Sequence, residues 1–357
     1  MAWTKKVAAL HFILSATSVW CKEVPGFVKR YAPIVYLQSE DPYMPSDFEE
    51  FLNHVYPVNQ INHTVPGDPS PLTLDNLDQL NHEGGSDIFL TSKEGIEADP
   101  DWFKGQDPSG PEAKNNAAII TTDMGNGILY AFYFYWYNYN EGDTVVGLEF
   151  GDHVGDWEHN MIRFNNGIPD AIFYSQHTDG FAYSWDIVEK EGGRPVAYSA
   201  KGSHASYATS GKQDRHDVNA AIPPGFLIES TDKGKRWDPT SNANYYEFDR
   251  NSQSFLPYTK GMPINWLYFE GQWGDAQLPR TTRGQYGLFG QYKYTSGPQG
   301  PIFKKLDREE MCAKGCAIQT TPLDKTSDNE IKAAIERAWT EFDEKGAAVL
   351  EKVLKLL

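Results

Sequence analysis

Cysteine is scarce in this 357-residue chain, with only three, and basic residues are outnumbered, 32 lysines and arginines against 49 aspartates and glutamates. The formal net charge of −17 leaves no basic stripe to neutralise a phosphate backbone, which argues against nucleic acid as a partner. Long hydrophobic runs are missing too. Beyond the N-terminus no apolar stretch approaches the roughly 20 residues of a membrane-spanning helix. GxSxG, P-loop and GxGxxG patterns are absent, and "HVGDWEH" is neither HExxH nor HxxEH. Serine nucleophile chemistry and nucleotide binding therefore drop out as leading readings.

The N-terminus has the layout of a secretory signal peptide over residues 1–21. Lys5 and Lys6 precede an apolar run from Val7 to Trp20, and Ala16 and Ser18 fit a small-x-small cleavage site. About 14 apolar residues are too few for a bilayer span. Cleavage would leave Cys312 and Cys316, in "CAKGC", whose spacing around a glycine suits a small disulfide loop in an oxidising compartment. Half of a metal site is the competing reading, but no second cysteine pair completes it. One glycosylation sequon, Asn62-His63-Thr64, fits the same pathway. Together these features predict the secretory pathway, and a vacuolar or extracellular destination.

Aromatic residues make up 14% of the chain, beside 31 glycines and 22 prolines, a mixture that favours short strands and many turns over a helical bundle. "YAPIVYL" reads as a first strand. "PSDFEEFLNHV" reads as a helix start, Ser46 and Glu49 forming a capping box. Residues 62–116 read as a long ornamented loop region containing a short strand, "DIFL". "ILYAFYFYWYNY", "DWEHNMIRF", "DAIFYSQH", "RPVAYSA" and "GFLIES" then follow as strands between turns. The expected fold is mainly β, an antiparallel β-sandwich over residues 22–325, closed by an amphipathic C-terminal helix over 326–357.

"GDHVGDWEHN", residues 151–160, concentrates ionisable groups around one tryptophan. If it is extended, Asp156, Glu158 and Asn160 share one face, and Trp157, His159 and Met161 the other. The ring then packs inward, while two carboxylates converge and repel unless a cation, an arginine or a shared proton lies between them. A divalent cation (Ca, Mg, Mn or Zn) at Asp156 and Glu158, with His153 leaning over it, satisfies that requirement. The alternative is a bridge from Arg163 or Arg194. His177 ends the next strand and His204 sits in the turn-like "AKGSHASYATSG", so both are candidates for proton transfer.

"YAPIVYLQSEDPYMPSDF", "HVGDWEHNMIRF", "YSQHTDG", "RPVAYSAKGSHASYATSG" and "FEGQWGD" together resemble the fungal vacuolar protein sorting-associated protein 62 family, in order, over most of the chain from about Tyr31 to Tyr294. That resemblance implies a role in delivery to the vacuole and supplies no reaction. Across about 40 residues, "YFYWYNYNEGDTVVGLEFGDHVGDWEHNMIRF" also resembles the necrosis and ethylene-inducing peptide-like proteins. These are secreted β-sandwiches that bind a divalent cation and then sphingolipid sugar headgroups. Their Gly-His-Arg-His-Asp-Trp-Glu heptapeptide falls on His153, Asp156 and Glu158, with Gly155 where it has a second histidine. Their upstream acid falls on Glu141 or Asp143, with extra residues between these and His153.

Two functions are consistent with these residues. One is a lumenal protein that uses a cation and its aromatic surroundings to hold a polar lipid headgroup or glycan. The other is a metal-dependent hydrolase in which the ion activates water. The absence of a complete catalytic signature favours binding.

Overall fold

The computed structural model describes residues 22–321, apart from 62–64, 66, 68, 146–147, 178, 215–227 and 289. The signal peptide read at 1–21, the sequon at Asn62 and the helix read at 326–357 lie outside these residues.

In chain order, the strands of the two main sheets are β1 (Ile34–Leu37), β2 (Ala117–Gly125), β3 (Ile128–Asn140), β4 (His153–Asn165), β5 (Ile168–Gln176), β6 (Asp179–Ser184), β7 (Lys190–Glu191), β8 (Arg194–Ser199), β9 (Ser206–Tyr207), β10 (Lys235–Trp237), β11 (Ala243–Asp249), β12 (Ser254–Pro257) and β13 (Ile318–Gln319). The larger sheet has eight strands in the order β12-β11-β2-β3-β4-β5-β6-β13. The smaller has five, in the order β7-β8-β1-β10, with β9 also paired to β8.

The smaller sheet packs on one face of the larger, as a sandwich requires. Val35 and Leu37 of β1, Ala197 of β8 and Trp237 of β10 share a core with Tyr133, Tyr135 and Tyr137 of β3 and Ile162 and Phe164 of β4. The other face of the large sheet is buried as well. Phe132, Phe134 and Trp136 of β3 and Trp157 and Met161 of β4 pack under the 43–103 region and the segment around Trp266 and Trp273. Most antiparallel sheets alternate apolar and polar residues because one face meets water. Here both faces are covered, which explains why "ILYAFYFYWYNY" reads as one continuous aromatic run.

The mainly-β sandwich therefore stands, with one correction to its pairing. β1 with β8, β2 with β11, and β6 with β13 run parallel, while the other pairs of these two sheets are antiparallel. Parallel neighbours need long connections, and each of these pairs joins segments far apart in sequence.

The 40–116 region is the lid over the outer face. It contributes the hairpin of Val55–Asn59 with Ile88–Ser92 and several 3₁₀ turns. The helix start predicted at Ser46 becomes a 3₁₀ turn at Glu50–His54. Its cap is Asp47, whose Oδ1 accepts from the Glu49 and Glu50 amides at 2.9 and 3.2 Å, while the Ser46 hydroxyl donates backwards to Met44 O. A carboxylate one position further on takes the amides that the capping box would assign to the hydroxyl.

Candidate functional site

β4 keeps to β3 along nearly its whole length, from Ile128↔Asn165 to Asn140↔His153. Its pairing with β5 stops at Asn160↔Tyr174, although β5 runs on and pairs with β6 through Gln176↔Asp179. The two strands thus splay apart beyond Asn160, and His153, Asp156, Trp157 and Glu158 of β4 border a cavity of about 620 Å³. That is within the size range of small-ligand sites.

Alternation along β4 follows the sequence expectation, with Trp157 and Met161 in the outer core and Ile162 and Phe164 in the inner one. Gly155 makes the splayed end possible. Its φ is +72°, and a Cβ there would meet Trp273 O at 2.1 Å and the Trp136 ring at 2.7 Å. Gly155→Ala should therefore cost at least about 1–3 kcal/mol through backbone strain alone, read as a lowered melting temperature; an unchanged melting temperature would contradict the packing.

His153, Asp156, Glu158, Asp143 and His177 all line the cavity. The Nδ1 of His153 lies 2.7 Å from Gly155 O. A carbonyl only accepts, so Nδ1 carries the proton and Nε2 keeps a lone pair for a ligand. Burial holds the His153 pKa below its usual value, in keeping with a neutral ring. Glu158 is buried and its Oε2 has no hydrogen-bond partner. Burial, followed by the charge of Asp156, drives its pKa well above the ordinary carboxylate range. Asp156 is instead engaged from behind, with its Oδ2 3.0 Å from Nδ1 of His204.

His204 does not reach the cavity. It sits in a left-handed turn at φ +56°, sealed against Tyr137 with ring centroids 3.7 Å apart, and its Nε2 lies 3.6 Å from Oδ2 of Asp41. Glu141 also stays off the cavity wall. Its amide donates to Gly202 O at 3.0 Å, and burial together with Asp41 raises its carboxyl pKa. The arginines weighed as bridges lie elsewhere: Arg163 pairs with Asp170 at 2.7 Å and Arg194 with Asp238.

One group of possible metal ligands comes together among the described residues. Ligand atoms of Asp143, His177 and Glu229 lie within 4.8 Å of one another. Glu229 is buried, its Oε1 is 3.0 Å from Nε2 of His177, and it accepts from the hydroxyls of Ser203 and Tyr207. Sequence reading picked out Asp143 and His177 but missed Glu229, Ser203 and Lys304, all of them beside these groups or on the cavity wall. A lone carboxylate in the apolar run "GFLIES" was the only sign of Glu229.

The model of the family described as vacuolar protein sorting-associated protein 62 matches residues 143–235, the segment that carries Asp143, His153, Asp156, Glu158 and His177 of the cavity wall. A Saccharomyces cerevisiae protein named for vacuolar protein sorting, TDA6, is 36% identical over 326 residues, covering 81% of this chain and 68% of that protein. The chain belongs to the vacuolar protein sorting-associated protein 62 family. The Saccharomyces cerevisiae protein that carries the family's name is 34% identical over 327 residues, 82% of this chain and 68% of its own length. Among solved structures, necrosis and ethylene-inducing protein 2 from the agent of cocoa's witches' broom disease is similar at 15% identity and a TM-score of 0.28, over 52% of this chain and 69% of that one. The non-toxic HaNLP3 protein is similar at 12% identity and a TM-score of 0.27, over 65% and 78%. Likeness this slight carries no ligand or activity across to the family member described here.

Proposed function

We propose that this member of the family is a non-catalytic binding protein of the secretory or vacuolar lumen, whose cavity holds a divalent cation and, through it, a polar lipid headgroup or glycan. The observation that carries this reading is the convergence of Asp143, His177 and Glu229 within 4.8 Å beside a cavity lined also by His153 and by Glu158, whose Oε2 has no hydrogen-bond partner. Two carboxylates and an imidazole make a mixed oxygen and nitrogen donor set. Such a set suits Mn or Zn better than Ca or Mg, which favour oxygen. When bound, the cation would supply positive charge to a converging acidic site and an attachment point for ligand hydroxyls.

This chain's own residues do the rest. Asp143, His177 and Glu229 hold the ion, Ser203 and Tyr207 orient Glu229, and His153 presents Nε2 to the ligand. The seclusion of His204 behind Asp156 supports binding over hydrolysis, because it takes the second candidate proton carrier away from the cavity. A lumenal location is supported by the joined pair Cys312–Cys316, a bond that oxidising compartments favour.

The expected result is a melting temperature that rises on adding Mn²⁺ or Zn²⁺ to chelator-treated protein. At an ion concentration about 100-fold above Kd the gain is about 2.7 kcal/mol. Asp143→Asn and Glu229→Gln should abolish it, along with metal-dependent retention on glycan arrays and headgroup-bearing vesicles. If dialysed protein binds no metal and its melting is indifferent to chelator, the reading is overturned.

A further inference from the structure

A second, smaller cavity of about 250 Å³ adjoins the first, sharing His177, Phe303 and Lys304 with it. Its chemistry is the reverse. Lys304, Lys305, Arg308 and Lys314 line it, against a single carboxylate from the exposed Asp179. Four cations gathered on one small wall stand out in a chain whose formal net charge is −17.

Arg308 is the informative member, because it is only 7% exposed and has no carboxylate within ion-pair distance among the described residues. Its guanidinium lies between the rings of Phe132 and Phe173, 5.1 and 4.7 Å from their centroids. Aromatic faces offset part of the desolvation of a cation but accept no strong hydrogen bond. Of its five donors, one reaches Lys304 O at 3.4 Å and one the Met161 sulfur at 3.2 Å, while Nε has no partner. His159, 3% exposed on the same wall, has neither ring nitrogen bonded. A buried charge with so few hydrogen bonds and a buried imidazole with none are both costly. The five-residue loop closed by Cys312–Cys316 completes the wall, holding Ala313 and Lys314 against it.

We propose that this basic cavity is an anion subsite that takes a phosphate group. The planar guanidinium fork of Arg308 presents donors suited to two phosphate oxygens. Lys304 and Lys314 add point charge from the two sides, and His159 supplies one N–H. The proposal goes beyond the cation reading and does not depend on it. Because Lys304 and His177 border both cavities, a ligand carrying a phosphate and a hydroxyl-rich group would fill the two at once.

The test uses the full chain in the presence of chelator, so that a failure of the cation reading leaves its outcome untouched. Inorganic phosphate should raise the melting temperature by several degrees, where chloride at matched ionic strength does not. Lys304→Gln combined with Lys314→Glu changes a half-buried and an exposed side chain, and should weaken phosphate at least tenfold while leaving melting without phosphate in place. Arg308→Lys keeps the charge, loses the fork, and should weaken it similarly. Soluble inositol phosphate and vesicles of phosphatidylcholine with a phosphorylated inositol lipid distinguish the sources. Binding of the soluble ester assigns the subsite to free phosphate esters, and binding confined to vesicles assigns it to a lipid headgroup. If none of these phosphates binds, or the double variant binds them like wild type, the anion subsite does not exist.

Discussion

Replacing Trp157 by alanine is expected to lower the unfolding free energy by about 3–5 kcal/mol, the range for truncating a large buried aromatic. Trp157 is 1% exposed. Trp136 lies 4.8 Å away between ring centroids, Phe48 5.5 Å, Trp273 5.6 Å and Trp266 5.7 Å. Those neighbours come from three separate parts of the chain, so no single segment can relax into the void. The indole N–H has no hydrogen-bond partner, so the truncation strands no acceptor and the loss is one of packing alone. Urea unfolding followed by circular dichroism should show a lower midpoint with an unchanged slope. Trp157→Phe should recover much of the difference. A loss under about 1 kcal/mol would mean that this cluster is not packed to the density of ordinary protein cores.

The second large effect is a pH dependence carried by Asp275. Its Oδ1 accepts from the Ser92 amide at 3.1 Å, but Oδ2 is buried without a partner. Burial pushes its pKa up to about 7. A carboxyl raised in the folded state binds its proton more tightly there than in the unfolded chain. Its contribution to stability is thus present in full below about pH 4 and is lost as pH rises through 7. By pH 8 the accumulated penalty is on the order of 4 kcal/mol, at 1.36 kcal/mol for each tenfold change in proton affinity. Asp275→Asn keeps the acceptor for Ser92 and cannot ionise. The variant should therefore be more stable than wild type at pH 8, and the two curves should meet near pH 4. The comparison cancels the half-buried His153 and the buried His159, whose lowered pKa values act in the opposite direction below pH 6.5. Parallel curves across that range would refute the assignment.

What was legible in the sequence follows from how local each signal is. The period-2 alternation that sends Trp157 inward and turns Asp156 and Glu158 to the other face needs only six consecutive residues, and β1, β3 and β4 fall where the apolar runs put them. The cap of the first 3₁₀ turn was misread because two acceptors stood side by side, and Asp47 outcompeted Ser46. The parallel pairings were invisible, since nothing within Ile34–Leu37 says that its neighbours will be Arg194–Ser199 and Lys235–Trp237. The same limit governed the site. Asp143, His153, Asp156, Glu158 and His177 lie within 35 residues and could be read as a cluster, whereas Glu229 and Lys304 reach it only through the fold. His204 looked like a member because it is near in sequence, and the turn that carries it tucks it behind Asp156.

The placement of β1 sets a timetable for the molecule's own synthesis. The large sheet grows from β2 to β6 as a run of neighbouring hairpins, each able to pair as soon as it emerges. β1 leaves the ribosome before all of them, yet both its partners are encoded later, β10 roughly 200 residues downstream. At about 5–20 residues per second the first strand waits on the order of 10–40 s with its edges bare. Until β8 is made and joins β1, the aromatic inner face of the nascent large sheet lacks the paired strands that cover it in the finished fold. Strand order thus sets how long apolar surface waits for its cover during synthesis, the interval in which such surface is open to aggregation, and the stability of the finished sandwich does not reveal it.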